Sequence, residues 1–396
     1  MLWGLASKDG RARRDEVKIL LLCYEYPPVG GGGGRVAARV AARLAIRGHQ
    51  IRVITAGMRH LPRRETRDGI EILRPESFRR REDTCTVPEM ALYIATGLLP
   101  VVREARRWRP DVIHAHFAVP TGPVALAASV FAGIPYVLTV HLGDVPGGVP
   151  EQTDRLFRLL GPLVSPVWRR AHAVTTVSRY VAGLAASAYG VNPIVIPNGV
   201  NPVTQPDLRL HSPPRIVMAG RLSIQKNPLL AVRALALVRE MDWSLDVIGD
   251  GPLEVEMRAL ARREGIDQRV VLHGWLSDVQ AAQLMAKADI LLMTSLHEGL
   301  PMVAIEALQW GLAIVGSQIG GMHDVVVEGK NGFLCELTPP AFAQKLRTLL
   351  ATPEMLDEMR RASREKAGDF DLEKTVSAYE GVLENSIPRP DGRSGP

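Results

Sequence analysis

Two glutamates, eight positions apart, stand in an otherwise apolar segment, LHEGLPMVAIEALQWG (residues 296–311). Glu298 precedes a Gly-Leu-Pro turn, and Glu306 falls about one and a half turns into the helix that the apolar spacing predicts from Pro301 onwards. A carboxylate there is costly to bury without hydrogen-bond donors, which sugar or ribose hydroxyls supply. The amides that open the helix suit a phosphate. An ordinary helix start with a satisfied helix glutamate is the alternative that this segment alone leaves open.

A second chemical pattern joins basic residues and a histidine to predicted strand ends. In MAGRLSIQKNP, Arg221 and Lys226 lie five positions apart directly after a strand, where a guanidinium and an ammonium suit a diphosphate. Alone, two such residues are ordinary surface charges. His141 follows the strand YVLTV and could hydrogen-bond a ligand hydroxyl or carry a proton. The earlier His114 and His116 are given mostly structural roles, because neighbouring strand positions face opposite ways.

Five consecutive glycines, Gly30–Gly34, separate the first strand from the first helix. Such a loop lets a ligand approach the backbone at a helix N-terminus. Its spacing also satisfies a dinucleotide pattern, but a nicotinamide site needs an acid about 20 residues further on. No Asp or Glu occurs between Glu25 and Glu65, which disfavours an oxidoreductase. A merely flexible loop is the structural alternative.

The elements that must position these residues alternate between short β-branched strands and helices. Such alternation predicts an α/β class with doubly wound parallel sheets. The pattern restarts at RIVMAGRL after a segment rich in Pro and Asn, so we predict two Rossmann-like domains whose strand ends face a deep interdomain cleft. The predicted boundaries are a disordered leader at 1–16, an N-terminal acceptor domain at 17–200, a linker at 201–214 and a C-terminal donor domain at 215–370.

Composition narrows the class of protein. The chain has 46% hydrophobic and 23% charged residues, which is typical of a soluble globular protein. Its longest apolar stretches fall short of the roughly 20 residues that a bilayer demands. The three widely spaced cysteines are read as reduced thiols of a cytoplasmic protein, and no metal-binding spacing is present. No nucleic-acid partner is predicted.

Charge is divided unevenly between the halves of the chain. Residues 1–205 carry a net charge of +11 and the remainder −5. Arginine clusters at 63–64, 79–81 and 103–109 fit attraction to an anionic membrane surface or to a phosphate-bearing acceptor. A solvated basic surface remains the alternative.

Five motifs in this order resemble glycosyltransferase family 4, a large group of retaining, nucleotide-sugar-dependent enzymes with the GT-B fold. They are PPVGGGGGR, TVHLGD, IPNGV, GRLSIQKNP and SLHEGLPMVAIEAL. The resemblance covers nearly the whole chain. It also implies that the C-terminal helix, about 371–386, completes the first domain.

The resemblance implies a role for each matching residue. Arg221 and Lys226 would neutralise the donor diphosphate, Glu298 would hold sugar hydroxyls, and Glu306 would bind the ribose. His141 would approach the donor sugar or the reaction centre, and the segment 272–274 would line the base. The implied catalytic residues are His141, Glu298, Arg221 and Lys226, and the implied donor-binding residues are Gly31, Gly32, Arg221, Lys226, Leu272, His273, Gly274, Glu298, Gly299, Leu300, Met302, Val303 and Glu306.

The implied reaction moves a hexosyl group, with retention, from a nucleotide sugar to a glycan or lipid-linked acceptor in cell-envelope or exopolysaccharide assembly. No cofactor and no metal are implied, because the helix N-terminus and the Arg/Lys pair take the metal's place. The implied location is the cytoplasm, at the inner face of the membrane if the basic half binds there. A catalytically silent sugar-nucleotide or glycan-binding protein is the alternative, and donor turnover separates the two.

The sequence departs from the family pattern at three positions. Leu142 stands where a glycine commonly follows the histidine, which puts the conformation of that loop in question. Ala313 replaces a frequent proline and Asp324 replaces the usual glutamate, and both are interpreted as packing changes.

Overall fold

The computed structural model describes residues 16–82 and 84–388. The predicted disordered leader, residues 1–16, lies outside the described residues except for its last residue, Glu16.

The first sheet has eight strands in the order β3-β4-β2-β1-β5-β6-β7-β8. Strand β1 pairs in parallel with β2 on one side and with β5 on the other, and its residues from Ile19 to Cys23 are buried because helices cover both faces of such a sheet. The strands are β1 Lys18–Cys23, β2 Gln50–Ile54, β3 Arg64–Arg67, β4 Ile70–Leu73, β5 Val112–His116, β6 Tyr136–Val140, β7 Ala173–Thr176 and β8 Ile194–Val195.

The second sheet has six strands in the order β11-β10-β9-β12-β13-β14. All of its pairings are parallel, and its core includes Trp243, Phe342 and Leu346. The strands are β9 Arg215–Ala219, β10 Ser244–Ile248, β11 Val270–Leu272, β12 Ile290–Met293, β13 Ala313–Ser317 and β14 Gly332–Cys335. The predicted α/β class with two doubly wound parallel sheets is confirmed.

Thirteen α-helices lie within the described residues. They are α1 Gly32–Ile46, α2 Val87–Trp108, α3 Thr121–Ala132, α4 Pro150–Arg169, α5 Arg179–Tyr189, α6 Pro228–Ala236, α7 Glu254–Arg263, α8 Asp278–Met285, α9 Met302–Trp310, α10 Met322–Val325, α11 Pro339–Ala351, α12 Pro353–Ala367 and α13 Leu372–Asn385.

The short β-branched runs of the sequence form strands as predicted, but the further strands β3 and β14 were missed. Strand β3 reads RETR, which has no apolar alternation; it is held at the sheet edge by antiparallel backbone pairing with β4 and by an ion pair between Arg64 and Glu71. Strand β14 is only four residues long and begins with Gly332, a residue that the β propensities disfavour.

The described chain packs as two compact units. The first takes the residues up to Thr139, Pro166–Ala173 and the residues from Ala378 onwards, and the second takes Val140–Ser165 and Val174–Ser377. Each unit thus combines segments that are distant from one another in the sequence. The predicted boundaries at 17–200, 201–214, 215–370 and 371–386 stay a prediction.

The segment predicted as a linker, residues 201–214, contains no regular element and is fixed within the second unit by a buried arginine. The Arg360 guanidinium donates hydrogen bonds to the carbonyls of Asp207, Leu208 and Arg209 and pairs with Asp289 at 2.7 Å. Both members of the pair are fully buried. Burial lowers the pKa of Arg360, and the Asp289 carboxylate opposes that shift. The segment is therefore anchored rather than loosely tethered.

One group of potential metal ligands occurs among the described residues, and it lies in the first unit. Ligand atoms of His49, Glu380 and Glu384 lie within 4.8 Å of one another. The Glu380 carboxylate already binds His49 Nε2 at 2.9 Å and Arg47 at 2.7 Å, while His49 Nδ1 accepts the Val17 amide at 3.2 Å. Because His49 directly precedes β2, the group lies at the amino end of that strand, opposite to the edge where such sheets bind ligands. We interpret it as an attachment of α13.

Candidate functional site: the strand ends of the second sheet

The loop after β9 carries the two basic residues predicted to bind phosphate. It leaves the strand at Gly220, whose φ of +139° suits only glycine, and Arg221 follows half-buried. A Cβ on Gly249 would lie 2.2 Å from the Gly220 carbonyl oxygen, and the Leu222 amide donates to the Asp250 carbonyl at 2.7 Å. The glycine-rich turn after β10 thus lies directly under this loop and fixes its course.

Lys226 and Glu298, 72 positions apart in sequence, meet in the structure. Lys226 Nζ lies 2.5 Å from Glu298 Oε1, with the lysine side chain 26% exposed and the glutamate side chain 9% exposed. Their two loops are joined by the Leu296 amide, which donates to the Gln225 carbonyl at 2.7 Å, and by Thr294 Oγ1, which donates to the Asn227 carbonyl at 2.9 Å. The sequence placed both residues at strand ends but did not predict that they form an ion pair.

Helix α9 begins one residue later than the sequence indicated. Pro301 was predicted at the first helical position, but its ψ of 118° is extended, so it is the N-cap and the helix starts at Met302. Its fixed φ still suits the entry into the helix. Glu298 lies in the preceding loop, as predicted, and Glu306 lies half-buried on the helix. The amides of Met302 and Val303 have no acceptor within the helix, so this end of α9 presents donors to an anion.

A third loop, after β13, closes on the same place. The Gly321 amide donates to the Glu298 carbonyl at 3.0 Å, and a Cβ on Gly321 would lie 1.7 Å from the Gly299 carbonyl oxygen. A Cβ on Gly320 would likewise lie 2.4 Å from the Glu298 carbonyl oxygen. Only two successive glycines allow this approach. The sequence reasoning missed these residues, although a Gly-Gly pair directly after a strand is a signal of close backbone contact.

The segment that follows β6 also reaches this loop. His141 is followed by a single 3-10 turn, Leu142–Asp144, and the Asp144 carboxylate accepts the His141 backbone amide at 2.8 Å. A Cβ on Gly299 would lie 3.0 Å from the Leu142 Cβ. The leucine that departs from the family pattern therefore packs against the backbone next to Glu298, and the aspartate fixes the conformation of the turn.

His141 is expected to be neutral at physiological pH. Its burial lowers the pKa of the imidazole to about 4, because a charged ring would lose its hydration there. A neutral histidine offers one ring donor and one ring acceptor, which suits a sugar hydroxyl.

This shift predicts a pH dependence of stability. The unfolded chain binds a proton at His141 near pH 6.5 and the folded chain only near pH 4, so stability should fall as the pH falls through this window. At pH 5 the wild-type protein should have lost about 2 kcal/mol more of its free energy of unfolding than a His141→Gln variant. NMR titration of the histidine ring, assigned with that variant, measures the midpoint directly. A midpoint near 6.5 would contradict the assignment.

The segment predicted to line the base follows the edge strand β11. The His273 amide donates to the Val247 carbonyl at 2.9 Å, and its Nε2 lies 2.6 Å from the Asp246 carboxylate. The Gly249 amide donates to the Gly274 carbonyl at 2.8 Å. Leu272 is partly buried against the core. The backbone of residues 272–274 is thus tied to the turn beneath Gly220, which makes one continuous set of loops in the second unit.

Gly31 and Gly32 lie in the first unit, exposed at the start of α1. The Gly31 amide donates to the Glu25 carboxylate at 3.0 Å, and the Gly30 amide donates to the Glu82 carbonyl at 2.7 Å. Arg79 is 3.7 Å from the other Glu25 oxygen. Glu25 was not predicted from the sequence. Its carboxylate accepts a hydrogen bond from the Gly31 amide, which the glycine loop was expected to offer to a ligand.

One of the residues interpreted as a packing change has a polar role. The Asp324 carboxylate accepts the Arg179 amide at 2.9 Å and lies 3.4 Å from its guanidinium Nε. That prediction was wrong for Asp324, which binds the start of α5. Ala313 is buried within β13.

The second of the two parallel-sheet α/β units gathers basic, acidic and helix-terminal groups at its strand ends, and two such units are the architecture of the GT-B fold. Residues 204–366 match the family model described as Glycosyl transferases group 1, and residues 30–204 match that of Glycosyltransferase Family 4. The chain belongs to this family of glycosyltransferases, and the predicted membership is confirmed.

Known proteins agree with this assignment. The chain is 31% identical over 363 residues to the 2-deoxystreptamine glucosyltransferase of Streptomyces kanamyceticus, covering 84% of this chain and 88% of that protein. It is 27% identical to the glycogen synthase of Mycobacterium tuberculosis, covering 91% and 93%. The structure of Anabaena HepE in complex with UDP superposes with a TM-score of 0.73 at 21% identity, covering 93% and 100%, which supports the GT-B fold. The protein is a hexosyl-transferring glycosyltransferase.

Proposed function

We propose that this glycosyltransferase moves a hexosyl group, with retention and without a metal ion, from a nucleoside diphosphate sugar to a glycan or lipid-linked acceptor. The observation that carries the proposal is the pairing of Lys226 with Glu298 beside the start of α9. At this place Lys226 and the amides of α9 can bind phosphate, and the Glu298 carboxylate can bind sugar hydroxyls. UDP and GDP are the favoured nucleotides, and the relative HepE was solved with UDP.

Phosphate charge would be neutralised by fixed groups of the chain. Arg221 offers a planar set of donors and Lys226 a point charge, and both lie in the loop after β9. The start of α9 adds amides and the positive end of its dipole. These groups stabilise the charge that develops on the departing nucleotide. Because they supply that stabilisation themselves, the proposal requires no cofactor and no metal.

Retention would follow from displacement on a single face of the sugar. The bond between the anomeric carbon and the diphosphate oxygen breaks, the acceptor oxygen bonds to the same face of that carbon, and the acceptor proton passes to the departing diphosphate. No side chain acts as nucleophile. Glu298 and neutral His141 would orient the sugar through its hydroxyls, Glu306 would bind the ribose, and residues 272–274 would border the base. Gly31 and Gly32 would approach the diphosphate and the acceptor.

The acceptor side of the proposal concerns the first unit and the place of action. We expect the acceptor to be one used in cell-envelope or exopolysaccharide assembly. We expect the reaction to occur in the cytoplasm, at the inner face of the membrane. The net charge of +11 over residues 1–205 supports peripheral contact with an anionic membrane. No nucleic acid takes part.

A panel of nucleotide sugars in a thermal-shift assay tests the donor proposal. A ligand at about 100 times its dissociation constant adds about 2.7 kcal/mol of stability, which is readily detected. Glu306→Ala should weaken nucleotide binding about 10- to 150-fold, because a charged hydrogen bond is worth about 1.5–3 kcal/mol. The matched control is Glu358→Ala, an exposed helix glutamate of the same unit.

Three results would contradict the proposal. Equal nucleotide affinity in the Glu306→Ala and control variants would remove the ribose assignment. Donor binding without turnover, tested with each candidate acceptor class, would favour the silent binding protein. Stereochemistry is read by NMR of the product's anomeric proton, and inversion would exclude the single-face mechanism.

A further inference from the structure

Helices α2 and α3 of the first unit expose an unusual number of large apolar side chains. Leu99 is 54% exposed and Phe131 58% exposed. Single exposed apolar residues are normal, but a group of them on neighbouring elements calls for an explanation. The exposed large apolar residues of these two helices are Val87, Leu92, Leu98, Leu99, Val130 and Phe131.

The pattern along α2 is not that of an ordinary surface helix. Its buried side recurs every fourth residue, at Tyr93, Gly97, Val101 and Ala105. The opposite side of such a helix should be polar. Its first half is instead apolar and exposed, at Ala91, Leu92, Ala95, Leu98 and Leu99. No helix among the described residues is long and apolar enough to cross a membrane.

The second half of the same exposed side is basic. Arg103, Arg106 and Arg107 are exposed there. Arg106 Nε donates to the Phe131 carbonyl at 3.1 Å, which places the exposed end of α3 beside these arginines. The exposed surface of α2, about 33 Å long for its 22 residues, is therefore apolar in its first half and cationic in its second half.

Arginine also flanks the other end of α2. The Arg80 amide donates to the Glu89 carboxylate at 3.0 Å, so the exposed pair Arg80 and Arg81 lies by the start of the helix.

Negative charge is held away from this surface. Glu89 caps the start of α2 by accepting the Thr86 amide at 2.7 Å, and that hydrogen bond lowers its pKa. Glu104 forms an ion pair with Arg52 and is 16% exposed. Helix α3 has no charged residue. The α2 face, defined as the exposed residues Leu92, Leu98, Leu99, Phe131, Arg103, Arg106 and Arg107, is accordingly apolar and cationic.

We propose that the α2 face docks on the surface of an anionic phospholipid bilayer. Leucine and phenylalanine side chains enter the boundary between headgroups and acyl chains, and the arginines bind lipid phosphates, the division of labour of interfacial helices. A second copy of this chain is a poorer occupant, because it would bring like charges together. This inference rests on the proposed function, which includes contact with an anionic membrane, and it assigns that contact to the α2 face.

The test measures co-sedimentation of the full-length chain with vesicles. We expect binding to phosphatidylcholine vesicles with 30% phosphatidylglycerol to exceed binding to pure phosphatidylcholine at least tenfold, and to weaken as NaCl rises from 0.1 to 0.5 M. Leu92→Ser/Leu99→Ser and Arg103→Ser/Arg107→Ser should each lower the partition coefficient at least tenfold. Arg106 is left intact because it binds the α3 carbonyl.

A matched control removes exposed apolar residues elsewhere. Val255 and Val279, 80% and 68% exposed in the second unit, are changed together to serine and should leave vesicle binding unchanged. Thermal stabilisation by the donor nucleotide, measured in all variants without vesicles, checks that each protein is folded and that donor binding stands apart from docking.

Each outcome is decisive. Wild-type binding that both α2 variants retain would overturn the surface while leaving membrane contact intact. A wild-type chain that ignores anionic vesicles would overturn the contact and the surface together. Neither result would touch donor binding, which the nucleotide assay reports by itself.

Discussion

Lys226→Ala is expected to lower donor turnover 100- to 1,000-fold, with weaker binding of the nucleoside diphosphate. A fixed cation that faces developing charge in a site with little water is worth about 3–4 kcal/mol of transition-state stabilisation. The Lys226 ammonium is held by its ion pair with Glu298 and by the joined loops after β9 and β12. The ammonium is therefore already in position before the substrate binds. Turnover of the nucleotide sugar identified by thermal shift gives the measurement.

A double variant separates the loss of catalysis from the cost of leaving the Glu298 carboxylate without its ion-pair partner. Removing the lysine leaves Glu298 buried without its partner, which costs about 1–3 kcal/mol on its own. Adding Glu298→Gln to Lys226→Ala relieves that penalty, so stability should recover. Turnover should stay low, because the double variant lacks both the ammonium and the carboxylate. Lys330→Ala, an exposed lysine of the same unit, should be neutral. Recovery of turnover in the double variant would show that Lys226 only neutralises Glu298.

Gly321→Ala is expected to reduce turnover more than tenfold and to lower stability by about 1–3 kcal/mol. The added methyl would lie 1.7 Å from the Gly299 carbonyl oxygen, so the loop after β13 must withdraw from the loop that carries Glu298. Gly321 has a φ of −68°, which alanine adopts without strain, so the effect is purely steric. Because Glu298 lies at the point of contact, a shift of about 1 Å is enough to disturb the sugar site.

Gly381→Ala is the matched control, since that glycine lies inside α13 and an added Cβ meets nothing within 4 Å. It should stabilise the chain by about 0.5–1 kcal/mol through helix propensity. Calorimetry and donor turnover of both variants check the pair of expectations. Normal turnover in Gly321→Ala would mean that the two loops are not coupled as the structure shows.

The succession of strands and helices along the chain, the two parallel sheets and the family could be predicted from local signals. Short β-branched runs such as VKILLL and DILLM separated by helical spacing leave few alternatives to a doubly wound α/β fold. The edge strand β3 could not be predicted, because its charged residues gain strand geometry only from pairing with β4. The start of α9 was misplaced by one residue, since proline suits both the N-cap and the first helical position.

Within the candidate site, sequence alone determined which residues stand at strand ends: Arg221, Lys226, His141 and Glu298. Only the tertiary structure decided which of them touch. The ion pair of Lys226 with Glu298, the packing of Leu142 on Gly299, and the approach of Gly321 each join segments at least 20 residues apart. Local propensity and periodicity carry no information on such distances, because contacts between distant segments depend on the order of strands in the sheet and on how closely two backbones can approach.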